Sequence, residues 1–135
     1  MLSGKLIHAF LIASSFAIAA PAIAQEPDCK DPQTQSDMTI CAGRDYQAAD
    51  KNLNASYSKV RERLADDEPG RKALLEAQRA WIKFRDAECA FSTMGTEGGS
   101  IQPMLKAMCL TELTEQRTQQ LDAHATCEEG DVTCS

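Results

Sequence analysis

Tyr46-Gln47-Ala48-Ala49-Asp50-Lys51-Asn52-Leu53-Asn54-Ala55-Ser56-Tyr57-Ser58-Lys59-Val60-Arg61-Glu62-Arg63-Leu64 is the stretch on which the fold turns. Within it Tyr46, Ala49, Leu53, Tyr57, Val60 and Leu64 recur at steps of three and four, which lays them on one face of an amphipathic helix. Upstream, Thr34-Gln35-Ser36-Asp37 has the form of a capping box, with Thr34 as cap and Asp37 reaching back. A helix is therefore predicted from there to about Ala65. Gly43 leaves open whether a short extra helix precedes the long one.

Downstream, Asp66-Asp67-Glu68-Pro69-Gly70 reads as a turn whose acids suit the N-terminus of a second helix, from about Pro69 to Phe91. Leu74, Leu75, Gln78, Trp81, Ile82, Arg85 and Cys89 fall on one side of it. The run Ser92 to Gly99 holds three glycines and is expected to be a mobile loop unless something holds it. Ser100 is placed as the cap of a third helix, with Pro103 in its first turn and Met104, Leu105, Met108, Leu110, Leu113, Arg117 and Leu121 along it to about His124. No segment alternates with period two, so no sheet is expected. The fold class is all-α: three long helices in an up-down-up bundle, cross-linked by disulfides. Leu53, Val60, Leu74, Ile82, Leu105 and Leu113 are assigned to the core, with Trp81 beside them.

The 135 residues begin with Met1-Leu2-Ser3-Gly4-Lys5, an apolar run from Leu6 to Ala20, and Ala22-Ile23-Ala24. This is the pattern of an export leader cleaved after Ala24. The domain plan is a leader over 1–24, a helical domain over 25–124 and a tail over 125–135. The apolar run is shorter than the ~20 residues that span a bilayer. No cysteine stands at the cleavage point, so no stable membrane anchor is expected and the protein is placed in the periplasm or outside the cell. Cys29, Cys41, Cys89, Cys109, Cys127 and Cys134 all follow the leader. An even count in a short exported chain reads as a disulfide framework. Pairing of chain neighbours is the simplest arrangement: Cys29–Cys41, Cys89–Cys109 and Cys127–Cys134. Cys-x-x-Cys does not occur and His124 is the one histidine after the leader, so neither a zinc site nor any other metal or cofactor is called for.

Removing the leader takes only Lys5 from 14 basic residues and none from 20 acidic ones, which leaves a net charge of −7. That argues against nucleic acid, whose phosphates need a cationic face, and fits a cationic protein partner.

The anomaly lies on the inward stripes, where polar residues stand among apolar ones. Asp50, Asn54 and Tyr57 fall on the first helix, Gln78 and Arg85 on the second, Thr114 and Arg117 on the third. Buried, such groups must bond one another or cost ~1–3 kcal/mol each. Two readings follow. One is a polar lock that fixes helix register, Asp50 against Arg85 or Arg117, with Asn54 and Gln78 taking the remaining bonds. The other is the floor of a partner-binding groove. An active site fits less well: a carboxylate beside arginines suits a structural anion better than an acid catalyst, and no nucleophile–histidine pairing or phosphate-binding loop is present. No catalytic residue is assigned.

Several stretches together resemble a known family: Cys41-Ala42, Asp50-Lys51-Asn52-Leu53-Asn54-Ala55-Ser56-Tyr57, Gln78-Arg79-Ala80-Trp81-Ile82-Lys83-Phe84-Arg85-Asp86-Ala87-Glu88-Cys89, Gly98-Gly99-Ser100, Cys109-Leu110, and Thr114-Glu115-Gln116-Arg117-Thr118-Gln119-Gln120-Leu121. The pattern is similar to the LprI-like N-terminal domain, found in small exported bacterial proteins and named for a lysozyme inhibitor. It covers roughly residues 29 to 121. The resemblance implies a helical, disulfide-bonded domain with an anti-lysozyme role; the residues themselves point to no enzyme. A c-type lysozyme is then the expected partner, and the loop with Gly95, Glu97, Gly98, Gly99 and Ser100 is the candidate element for entering its cleft. An envelope module with another protein partner is the alternative, and a cell-wall hydrolase a more distant one.

Overall fold

The computed structural model of the chain describes residues 26–128. Three helices follow in order: α1 (Gln35–Arg63), α2 (Glu68–Ser92) and α3 (Gln102–Ala125), with a single 3-10 turn at Met94–Thr96 between the last two. The expected leader, and Cys134 of the tail, lie outside the described residues.

α1 starts where local chemistry dictates. Thr34 Oγ1 accepts from the Asp37 amide at 3.0 Å, and Asp37 Oδ2 accepts from the Thr34 amide at 3.1 Å, so two otherwise unpaired donors are satisfied reciprocally. The helix runs unbroken through Gly43, and no short first helix is split off. α2 is capped by Asp67, whose carboxylate accepts from the Gly70 amide at 3.0 Å. Ser100 does not cap α3. Ile101 holds that position without a side-chain bond, and Pro103, which lacks an N–H, removes one of the donors a cap would have served.

The direction of the helices follows from which residues meet. On α1 and α3, Gln35 meets Met104, Ser56 meets Asp122 and Arg63 meets His124. The positions rise together, so α1 and α3 run parallel. Between α2 and α3 they run in opposition: Gln78 meets Arg117, Arg85 meets Thr114 and Cys89 meets Cys109. This is the up-down-up bundle.

α1 and α3 form the tight pair. Cys41 and Ala42, then Ala49, Leu53, Ser56 and Val60, are buried along α1. The small residues Ala42, Ala49 and Ser56 are spaced by seven, which brings the two axes close along one seam. The opposing line on α3 is Ala107, Thr111, Thr114, Thr118 and Leu121, of which Thr114 and Leu121 are wholly buried. Its threonines are polar in name only. Thr111 Oγ1 donates to the Ala107 carbonyl at 2.9 Å and Thr118 Oγ1 to the Thr114 carbonyl at 2.8 Å, so neither hydroxyl is left unpaired. Met108, placed inward by its spacing, is 54% exposed.

The apolar cluster of Leu53, Val60, Leu64 and Leu121 takes Tyr57, Leu74, Trp81 and Ala125 against its edge. α2 buries only Gln78, Arg85 and Cys89. Ile82, assigned to the core by spacing, is 38% exposed, because α2 rests on the α1–α3 pair along one narrow line. Two disulfides complete the frame. Cys29–Cys41 pins the leading segment to α1, and Cys89–Cys109 staples the end of α2 to α3. Cys127 is disulfide-bonded as well. Such bridges form and persist in oxidising compartments. No helix among the described residues is long and apolar enough to cross a membrane.

Candidate functional site

The inward polar residues gather into two groups one above the other, each built on an arginine. The lower group centres on Arg85, buried in α2. Its Nη2 and Nε donate to Asp86 Oδ1 at 2.8 and 2.9 Å. Nη1 donates to Thr114 Oγ1 on α3 at 3.4 Å and faces Asp50 Oδ1 on α1 at 3.8 Å. The guanidinium lies over two rings, 5.1 Å from the centre of Trp81 and 5.5 Å from that of Tyr46. One planar cation thus touches all three helices, which a lysine could not do with the same geometry. Burial raises the pKa of the Tyr46 phenol, and Asp50 and Asp86 add to that, while Arg85 opposes it.

The upper group centres on Arg117 of α3. Its Nε donates to Gln78 Oε1 at 3.2 Å and its Nη1 to Gln120 Oε1 at 3.0 Å. Burial lowers its pKa. Asp50 therefore meets Arg85 and not Arg117. Asn54 stays on the surface of its own helix, donating to the Asp50 carbonyl at 2.8 Å and to Asp50 Oδ2 at 3.0 Å. Tyr57 lies with the apolar cluster and has no side-chain hydrogen bond among the described residues. No buried side-chain nitrogen or oxygen among them lacks a partner.

Spacing places Trp81 and Tyr46 on apolar stripes, yet both serve as platforms for Arg85. Their position one turn from an inward arginine or aspartate was the available signal. Asp86 went unread because adjacent helix positions do not face each other. The arginine side chain is long enough to fold back onto it.

The candidate loop stands at the Cys89–Cys109 end. Gly95, Glu97, Gly98, Gly99 and Ser100 are all exposed. Its base is held, by the Cys89–Cys109 bridge and by turn bonds. Buried Thr93 donates from Oγ1 to the Cys89 carbonyl at 2.7 Å, Thr96 Oγ1 to the Thr93 carbonyl at 2.8 Å, and the Gly99 amide to the Thr96 carbonyl at 3.0 Å. Gly98 has a φ of 77°, a conformation side-chain-bearing residues rarely adopt. Phe91 and Met94, 70% and 60% exposed, flank the loop, and sequence reasoning had not singled them out.

Among the described residues no group of three or more His, Cys, Asp or Glu side chains is arranged to hold a metal ion. The Arg85 group is a set of donors already matched to acceptors, and its architecture is that of a clasp.

Comparison with known proteins adds the family. The chain is 44% identical over 115 residues to an uncharacterized protein of Rhizobium meliloti (strain 1021), across 76% of this chain and 83% of that one. Its fold is similar to the crystal structure of a DUF1311 family protein from Pseudomonas putida KT2440, with a TM-score of 0.64 at 19% identity, covering 75% of this chain and all of that one. The model of the family described as lysozyme inhibitor LprI matches residues 28–121, which takes in both arginine groups, the loop and both described disulfides. The chain belongs to the LprI lysozyme-inhibitor family.

Proposed function

We propose that this protein is an exported, non-enzymatic binding protein that blocks a c-type lysozyme, with the loop at Gly95–Ser100 as the element that enters the enzyme. The observation that carries the reading is the fastened loop. A segment stapled at its base by Cys89–Cys109 and held by its own turn bonds has little freedom left to lose on docking. Glu97 and Ser100 offer polar contacts, and Phe91 and Met94 offer apolar area beside them. The acid excess, 20 acidic against 14 basic residues, favours encounter with a basic enzyme. The arginine groups are the frame that holds the loop's two supporting helices in register.

The test is a lysozyme activity assay with the oxidised protein. Inhibition that weakens in Glu97→Arg, and weakens with rising salt, supports the reading. Absence of inhibition at micromolar excess across several lysozymes discards it.

A second reading draws on α2, whose outward face carries Ala80, Phe84, Ala87 and Phe91 at steps of four and three, all exposed. Here the contact with an envelope protein is helical and the loop is incidental. Phe84→Glu then abolishes partner capture and Glu97→Arg leaves it intact.

A further inference from the structure

The end of the bundle opposite the loop is open. Val60 and Leu64 of α1, Gly70, Ala73, Leu74 and Ala77 of α2, and Arg117 and His124 of α3 line a cleft of about 240 Å³. The lining is apolar apart from Arg117 and His124. Both acceptors that Arg117 uses are neutral amides. Among the described residues no carboxylate lies within 4.0 Å of its guanidinium. The group is half-buried and has five N–H donors, and two neutral amide oxygens leave donors free for an anion. Burial lowers its pKa, as expected of a cation drawn from water without an anion.

The neighbours repeat the pattern. Arg71 Nη1 donates to the Leu64 carbonyl at 2.8 Å, and also to that of Ala65, and Arg63 Nη1 donates to the His124 carbonyl. Neither is ion-paired with a described residue, and Asp67 is engaged at the start of α2. Arg117 thus lines an apolar cleft, and Arg63 and Arg71 are bonded to backbone carbonyls of the same end of the bundle, in a chain whose overall charge is negative.

We propose that this cleft binds a short amphiphilic carboxylate, with the carboxylate on Arg117 and the hydrocarbon chain along Val60, Leu64, Leu74 and Ala77. A planar guanidinium is the natural partner of a carboxylate, and the walls offer nothing polar to the rest of the ligand. The apolar lining suits a short hydrocarbon chain, so octanoate is the probe. The proposal does not depend on the lysozyme reading, since cleft and loop lie at opposite ends of the bundle.

The experiment is a titration of the oxidised protein with octanoate, followed by methyl nuclear magnetic resonance, with octanol and octylammonium as chain-matched controls. Saturable shifts at Val60, Leu64 and Leu74 are expected at sub-millimolar octanoate, with both controls about tenfold weaker or more. Arg117→Gln should weaken octanoate by about tenfold, the loss of one charge-assisted contact. Ala77→Leu leaves Arg117 and its amide partners in place and fills the cleft, so it should abolish the shifts even if Arg117→Gln folds poorly. Equal binding of octanol and octanoate, shifts confined to the exposed methyl groups of Met94 and Ile101 at the loop end, unchanged binding in Ala77→Leu, or no shifts at all would each overturn the proposal.

Discussion

Arg85 Nη1 on α2 lies 3.4 Å from Thr114 Oγ1 on α3, and Thr114 is wholly buried in the seam where α3 meets α1. The bond ties the loosely packed helix to the tightly packed pair at the pair's own core. Its partners are unequal: Thr114 is inaccessible to solvent, whereas Asp86 and Asp50 are 56% and 44% exposed.

Arg85→Met should therefore lower stability by about 1–3 kcal/mol, through lost hydrogen bonds and lost stacking on Trp81 and Tyr46. The larger penalty of an abandoned buried charge does not arise, because water reaches both carboxylates. Arg85→Lys should recover little, since an ammonium cannot bridge the same positions. Urea denaturation of the three proteins measures this.

Asp50→Asn should cost under about 1 kcal/mol, since the pair is long and half-exposed. Its side chain also accepts from Asn54, and an amide oxygen can keep that bond. A double-mutant cycle between Asp50 and Arg85 should give a small coupling energy and one between Asp86 and Arg85 a larger one. Sequence spacing alone had made Asp50 the principal anion.

Replacing Cys89 and Cys109 together by serine should destabilise the fold by about 3 kcal/mol, the chain-entropy value for a loop whose ends are 20 residues apart. Hydrogen exchange should show the loss concentrated at the end of α2 and in the loop. Melting temperatures with and without reductant provide the check.

Gly98→Ala should cost about 1 kcal/mol from backbone conformation alone. Nothing lies within 4 Å of where its Cβ would stand, so steric crowding contributes nothing. Gly98→Asn should cost less, as asparagine tolerates this region better. Thermal denaturation separates the two.

The Tyr46 phenol ionises at higher pH in the folded than in the unfolded chain. The stability linked to it is fully present below the unfolded pKa of about 10 and is lost as pH rises from there through the folded value, because the unfolded chain releases the proton first. Phenolate absorbance followed in Tyr57→Phe, which leaves Tyr46 as the single tyrosine, should show the raised value, and unfolding should return it to the ordinary one.

The start of α1 was legible because a capping box is chemistry among four adjacent residues. The nearness of Asp50 and Arg85 was legible because helical steps put both on inward faces. The face of α3 was not. Thr111, Thr114 and Thr118 read as polar until their hydroxyls are seen bonded within their own helix or to Arg85, while Met108 reads as core and is exposed. Ile82 was misplaced for a related reason. Periodicity identifies an apolar stripe but not how much of its width a neighbour covers, and α2 is covered only along the line of Gln78, Arg85 and Cys89.

The two described bridges join cysteines that are consecutive along the chain, Cys29 with Cys41 and Cys89 with Cys109. Neither encloses nor crosses the other. A thiol oxidase acting on the polypeptide as it threads N-terminus first into an oxidising space would close each native ring before the next cysteine pair arrived. Maturation of this part of the molecule then calls for no reshuffling catalyst, and its order of assembly is built into the spacing of its sulfurs.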